Sequence, residues 1–297
     1  MDFSENYMCK YSTEVHSVHF GASRQQVTLH TGMFYSESFS NGFATASESL
    51  RHDAVAVLAH VFDILDHFLS DLPFINTVNF KSDGPTNQYK NKTLFFLITQ
   101  VLPQRYAQIR KITYNYSESG HGKGPADGIG GALKRLADDQ VKYGRDVSNF
   151  DAFLSIIKEK SKKIYISSIT EVDISKVENQ VSNEIKCYNG TRQMYQFTWR
   201  VENSTKIYFN KLSCLICLPG EKCRHFFLGT MEYMENAAVP VKEKPKVQEK
   251  KIKKDAIYTK ETTLNESTVA TTASLSISSR RSSRVPVAKS DDQYHFY

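Results

Sequence analysis

Thr77-Val78-Asn79-Phe80-Lys81-Ser82-Asp83-Gly84-Pro85 is the stretch on which the reading of the fold turns. Thr77 to Phe80 has the composition of a short buried strand. Ser82-Asp83-Gly84-Pro85 is a strong turn signal, so an acidic residue stands at the strand's carboxyl end. Upstream, Val57, Leu58, Val61, Leu65 and Phe68 recur at helical spacing, which predicts a helix over about His52 to Leu69, closed by Pro73. Downstream, Asn87 to Leu102 reads as a helix ending before Pro103. Gln108 to Tyr116 alternates as a strand, with Ile112, Tyr114 and Tyr116 on one face.

The pattern continues in both directions. Towards the N-terminus, strands are expected in residues 1–35: one beginning at Asp2, one over Glu14 to Phe20, and one over Gln26 to Tyr35 with Val27, Leu29, Thr31 and Met33 on one face. Ser36 to Ser49 reads as a Ser/Asn/Gly-rich loop. Towards the C-terminus, the Gly-rich run 121–131 passes into a helix through Leu133, Leu136 and Ala137, and a further helix covers Phe150 to Lys158. Short strands are expected at Ile164–Ser168, Tyr195–Val201 and Ile207–Leu212. The order is three antiparallel strands, then helices alternating with strands. It predicts an α/β mixed sheet with helices on its faces over residues 1–160. A small β-rich extension over 161–235 and a disordered basic, Ser/Thr-rich tail over 236–297 complete the chain.

Composition narrows the function classes. No apolar run approaches the roughly 20 residues that span a bilayer, and the N-terminus lacks a secretory pattern, so an intracellular protein with no membrane partner is expected. The Asn-x-Ser/Thr sequons then carry no meaning. Five cysteines, an odd number, argue against a disulfide framework. The net charge of +6 is uneven: residues 236–297 hold twelve Lys/Arg and seven Asp/Glu, leaving +1 for the rest. The basic character belongs to the tail, where Lys250-Lys251-Ile252-Lys253-Lys254 and Arg280-Arg281-Ser282-Ser283-Arg284 read as nuclear-import or nucleic-acid patches.

Three aspartates stand at ends of elements: Asp2 on the first strand, Asp83 after the fourth, Asp127 opening the helix after the fifth. Each has an ordinary explanation, since Asp-Gly makes turns and Asp caps helices. If the first and fourth strands are neighbours, Asp2 and Asp83 lie side by side. Carboxylates sharing a pocket repel unless a cation neutralises them, and Mg²⁺ or Mn²⁺ suits such a site.

Three blocks strengthen that reading: Asp2-Phe3-Ser4-Glu5-Asn6-Tyr7, then Ser82-Asp83-Gly84-Pro85-Thr86-Asn87-Gln88-Tyr89-Lys90-Asn91, then His121-Gly122-Lys123-Gly124 through Asp127-Gly128-Ile129-Gly130-Gly131 to Lys134-Arg135. In this order they resemble a group of transposase-derived animal proteins, over about half the chain. The resemblance implies a ribonuclease-H-like fold of the DDE type, with Asp2 and Asp83 as the first two metal-binding acids. Asp127 is the best match for the third, and Glu118 is its rival. It also implies DNA as partner, a nuclear location, and hydrolysis of a phosphodiester followed by attack of the freed 3′-hydroxyl on a second one. His121 would position water or touch the scissile phosphate, and Lys123 and Lys90 would contact the nucleic-acid backbone. A homo-oligomer is a candidate assembly. A transposase would carry a DNA-recognition domain ahead of the first strand, and none is visible here. The alternative is therefore a domesticated, catalytically inactive nucleic-acid-binding or nuclear interaction protein.

One further cluster stands apart. Cys214-x2-Cys217-x5-Cys223-x-His225 can hold a structural Zn²⁺ through three thiolates and an imidazole, with Cys187 in reserve. The spacing is tighter than in the usual finger, and small residues buried beside Leu215, Ile216 and Leu218 explain it equally well.

Overall fold

A computed structural model describes residues 1–13, 24–117, 124–214, 216–217 and 225–233. The strand expected over Glu14 to Phe20 and the tail 236–297 lie outside the described residues.

Two mixed sheets form, with helices packed on them. The first runs β1-β2-β3-β6, from β1 (Asp2–Met8), β2 (Gln26–Tyr35), β3 (Ser40–Ser47) and β6 (Ile164–Ser168). β1, β2 and β3 are antiparallel in turn, and β6 adds parallel to β3. The second runs β4-β5-β7-β8-β9, from β4 (Thr77–Ser82), β5 (Lys111–Tyr116), β7 (Gln196–Arg200), β8 (Lys206–Asn210) and β9 (Phe227–Glu232). β4 and β5 are parallel; the later pairs are antiparallel.

The helices are α1 (Ala54–Ser70), α2 (Lys92–Phe96), α3 (Leu102–Arg105), α4 (Pro125–Lys142), α5 (Phe150–Lys160) and α6 (Glu171–Glu178). α1 is apolar nearly all round because it lies between the sheets. Its N-terminus is capped by Asp53, which accepts from the amides of Val55 and Ala56 at 3.1 and 2.9 Å. The first sheet is covered on both faces. Val27, Leu29, Ala44 and Ala46 pack with Leu133, Ala137, Phe153 and Ile157 of α4 and α5. On the opposite face, Thr45 and His60 of α1 bond at 2.6 Å. The second sheet shares the main core with α1 and α2, through Phe95, Tyr114, Phe197, Trp199 and Phe209.

Four expectations are corrected. Ser36 to Ser49 is not a loop throughout, because Ser40–Ser47 is a central strand. Its residues are small since both faces are covered, and small polar composition reads as loop when burial is unseen. The helix expected over Asn87 to Leu102 starts only at Lys92, because residues 85–91 form a turn of their own. It also passes Pro103. A π-helical turn, Leu97–Val101, directly precedes the proline and relieves the crowding it would impose on an α-helical turn. The single mixed sheet is two sheets, since no strand ladder joins β1 to β4. The region 161–235 is not a separate extension: β6 joins the first sheet, β7–β9 the second, and all described residues fall in one compact unit, Met1–Lys244. Among the described residues no helix is long and apolar enough to cross a membrane.

Candidate metal centre

The two sheets meet where the acids stand. The Met1 amino group donates to the Lys81 carbonyl at 2.8 Å, which brings the start of β1 to the carboxyl end of β4. Asp2 is opposite Thr31 in the β1–β2 ladder, and Asp83 follows directly on β4. Residues 80 positions apart thus come together where the edge strands of two sheets meet, with no local sequence contact to announce it.

The turn after β4 is built to hold still. The Pro85 carbonyl accepts from the amides of Gln88, Tyr89 and Lys90. Asn91 closes the turn. Its amide nitrogen donates to the carbonyls of Thr86, Asn87 and Gln88, and its side-chain oxygen caps α2 by accepting from Leu94 at 2.9 Å. Ser82 Oγ donates to the Asp83 carbonyl at 2.7 Å and accepts from Tyr114 at 3.1 Å. Tyr116 donates to the Tyr89 carbonyl at 2.7 Å. The block 82–91 is therefore a hydrogen-bonded clamp resting on buried tyrosines. Tyr114 and Tyr116 were legible as one face of a strand, but the burial of Tyr89 and the role of all three behind the acids were not.

The electrostatics are those of crowded carboxylates. Burial, then the charge of Asp83, raises Asp2 to about 6. Burial also raises Asp83, against the opposing pull of the N-terminal amine. Asp83 Oδ1 is buried and has no hydrogen-bond partner. Asp2 also hydrogen-bonds the Asp83 carboxylate, so the crowded pair is relieved either by a shared proton or by a bound cation. This fits a hard divalent ion, which takes one or two carboxylates and keeps positions for water and phosphate.

Asp127 differs. It is exposed in the first turn of α4, where its carboxylate accepts from the Gly124 amide at 3.2 Å in a capping arrangement. Its charge is felt by Asp2 and Asp83, so it stands near them. Among the described residues, the set of three ligand atoms lying within 4.8 Å of one another belongs to Cys214, Cys217 and His225, not to the aspartates. Glu118, His121, Lys123 and Cys223 lie outside the described residues.

Lys90, expected at the nucleic-acid backbone, stands in the turn before α2. It is buried, with Nζ 4.3 Å from the Tyr195 ring centroid and 5.3 Å from that of Tyr116, and burial lowers its pKa. Its ammonium is used against aromatic faces beside the Asp83 turn. A cavity of about 630 Å³ opens at the junction, lined by Asp2, Lys81, Asp83, Ser117, Gly124 and Ala126 on its polar side. Phe43, Val61 and Leu65 line its apolar side.

The model of a family described as a domain of unknown function (DUF8701) matches residues 1–213. The chain belongs to that family. The DUF8701 match takes in both acid-bearing strands, the clamp and α4, and ends one residue before Cys214. No curated protein and no solved structure matches the chain.

Proposed function

We propose that this DUF8701 chain is a transposase-derived, divalent-cation-dependent phosphoryl-transfer protein acting on DNA, with a ribonuclease-H-like core. One observation carries the reading: Asp2 and Asp83, far apart in sequence, meet at the junction of β1 and β4 with Asp83 Oδ1 buried and unpartnered. The strand plan supports it, with three antiparallel strands, then β4 beside β5 in parallel, and a hydrogen bond from Met1 joining the two groups.

Asp2 and Asp83 would hold Mg²⁺ or Mn²⁺, with Asp127 facing the same region from the start of α4. When bound, the cation supplies charge stabilisation for an in-line displacement at phosphorus. The chain's own part is positional. The clamp at 85–91 fixes Asp83, the β1–β2 ladder fixes Asp2, and the positive end of α4 favours an approaching phosphate. The cavity wall of Phe43, Val61 and Leu65 limits water on one side.

The test is a nicking and strand-joining assay on plasmid and oligonucleotide DNA with Mg²⁺ or Mn²⁺. Product from the native chain and none from Asp83→Asn is expected. Equal product from both would refute the reading. Asp127's engagement with its own helix cap favours one second reading, a fold that keeps DNA binding without turnover. It predicts salt-dependent DNA retention and no metal-dependent product.

A further inference from the structure

β8 and β9 are joined by residues 211–226, of which 211–214, 216–217 and 225–226 are described. Ile216 is 81% exposed, and Leu212 and Phe226 are exposed too. Yet the ends of this connection are closed: the Lys211 amide donates to the Phe226 carbonyl at 2.7 Å. Within it, His225 Nδ1 is 3.3 Å from Cys217 Sγ and 3.6 Å from Cys214 Sγ, and all three ligand atoms lie within 4.8 Å of one another. For tetrahedral Zn²⁺, with Zn–S about 2.3 Å and Zn–N about 2.0 Å, sulfur and nitrogen on one ion stand about 3.5 Å apart. The observed separations bracket that value. Phe226, the next residue, has φ of 59°, a conformation uncommon for a bulky side chain. The backbone there is held against its preference, as happens where a side chain is fixed by a ligand.

We propose that Cys214, Cys217 and His225 bind a Zn²⁺ ion that fastens the β8–β9 connection at the rim of the carboxylate site. Two thiolates and an imidazole at this spacing select zinc over the hard cations proposed for the aspartates. Cys223, two residues before His225, is the sequence's candidate for the fourth ligand. The location follows from strand direction: β8 runs parallel to β4 through β5 and β7, so its carboxyl end lies at the end that carries Asp83. Ser213, next to Cys214, donates to Asn115 Oδ1 at 2.7 Å, and Asn115 donates to the Phe80 carbonyl of β4. The metal would thus brace a loop bonded to β5, the neighbour of the acid-bearing strand. It stands whether or not the aspartates support turnover.

The experiment is zinc analysis of the purified full chain, with Co²⁺ exchanged for Zn²⁺ as spectroscopic probe. One tightly held zinc per chain is expected, with tetrahedral Co²⁺ bands and a thiolate charge-transfer band. Asp83→Asn should keep the metal, and Cys214→Ser and Cys217→Ser should lose it. No stoichiometric zinc in the native chain, or full zinc in both serine variants, overturns the proposal. Folding is followed by the single tryptophan, Trp199, buried in the core. If the serine variants do not fold, His225→Cys decides. Retained Co²⁺ with a stronger thiolate band supports the site, and a spectrum unchanged from the native one overturns it.

Discussion

Asp83 keeps a carboxylate oxygen buried without a partner, and Asp2 beside it is pushed up to about 6. Without a cation this is a destabilising arrangement, and that gives a prediction opposite to the usual effect of a buried-residue change. In chelator at pH 7, Asp83→Asn should stabilise the fold, because it removes one of two crowded charges. The shift at Asp2 has burial as its largest cause, and the variant keeps that burial. Only the part due to the Asp83 charge is relieved, in a partly solvated site, so the expected gain is below about 1 kcal/mol. Mg²⁺ should raise the melting temperature of the native chain and leave that of Asp83→Asn unchanged. Paired thermal melts check this, and a variant less stable than the native chain in chelator would contradict it. The two acids were legible as a pair only through the resemblance of the blocks around them. Asp-Gly after a strand and Asp at a helix start carry ordinary meanings by spacing alone. Lys90 shows the limit of reading charge as exposure: its aromatic partner Tyr195 lies 105 residues away and no local pattern reveals it.

At the scale of elements, α4 lies on β1 through Gly130. A Cβ there would stand 2.8 Å from Ser4 Cβ and 3.0 Å from Ser4 Oγ, so the helix could not stay as close to the strand. Gly128, on the same helix, has nothing within 4 Å of where its Cβ would be. The pair makes an internally controlled prediction. Gly128→Ala should stabilise by about 0.5–1 kcal/mol through helix propensity. Gly130→Ala should destabilise by about 1–2 kcal/mol through overpacking and lift Asp127 away from Asp2. Denaturant titrations of both variants read the sign directly, and a stabilising Gly130→Ala would sink the packing argument. The Gly-rich run was read as leading into a helix; at Gly130 the need is helix–strand contact. Elements with strong periodicity were legible, as in β2, α1, α4 and α5. β3 was not, because Ser40–Ser47 contains small residues buried on both faces. α6 had its signal in the sequence, the capping box of Thr170 and Asp173, but only one short turn-pair of apolar residues, Ile174 and Val177, behind it.

Over the whole molecule, α1 is the shared wall between two sheets, and its contact with β2 places titratable groups deep inside, His60 on the helix and His30 on the strand. His60 and His30 are fully buried. Burial lowers both, His60 to about 3 and His30 well below its ordinary value. Their folded values lie below the unfolded value of about 6.5. The unfolded chain therefore takes up protons first as pH falls, and stability is lost from about pH 6.5 down towards pH 3. Each histidine contributes a slope of about 1.4 kcal/mol per pH unit. Asp2 works in the other sense below about pH 6, where its protonation favours the fold. Chemical denaturation between pH 7 and 4 should show the midpoint falling, and His60→Asn should flatten the fall. An unchanged slope in that variant would place the acid sensitivity elsewhere. The α/β class was legible in the order of elements, because alternating periodicities survive without knowledge of pairing. The division into two sheets was not, since it depends on which strand edges meet, and no single segment encodes that.

The central claim is that Asp2 and Asp83 share a divalent cation, and Mn²⁺ binding followed by electron paramagnetic resonance tests it most directly. The native chain should remove Mn²⁺ from the free-ion signal with saturable binding that Mg²⁺ competes away, and Asp83→Asn should leave that signal near its protein-free intensity. Equal Mn²⁺ uptake by the native chain and the variant would contradict the account.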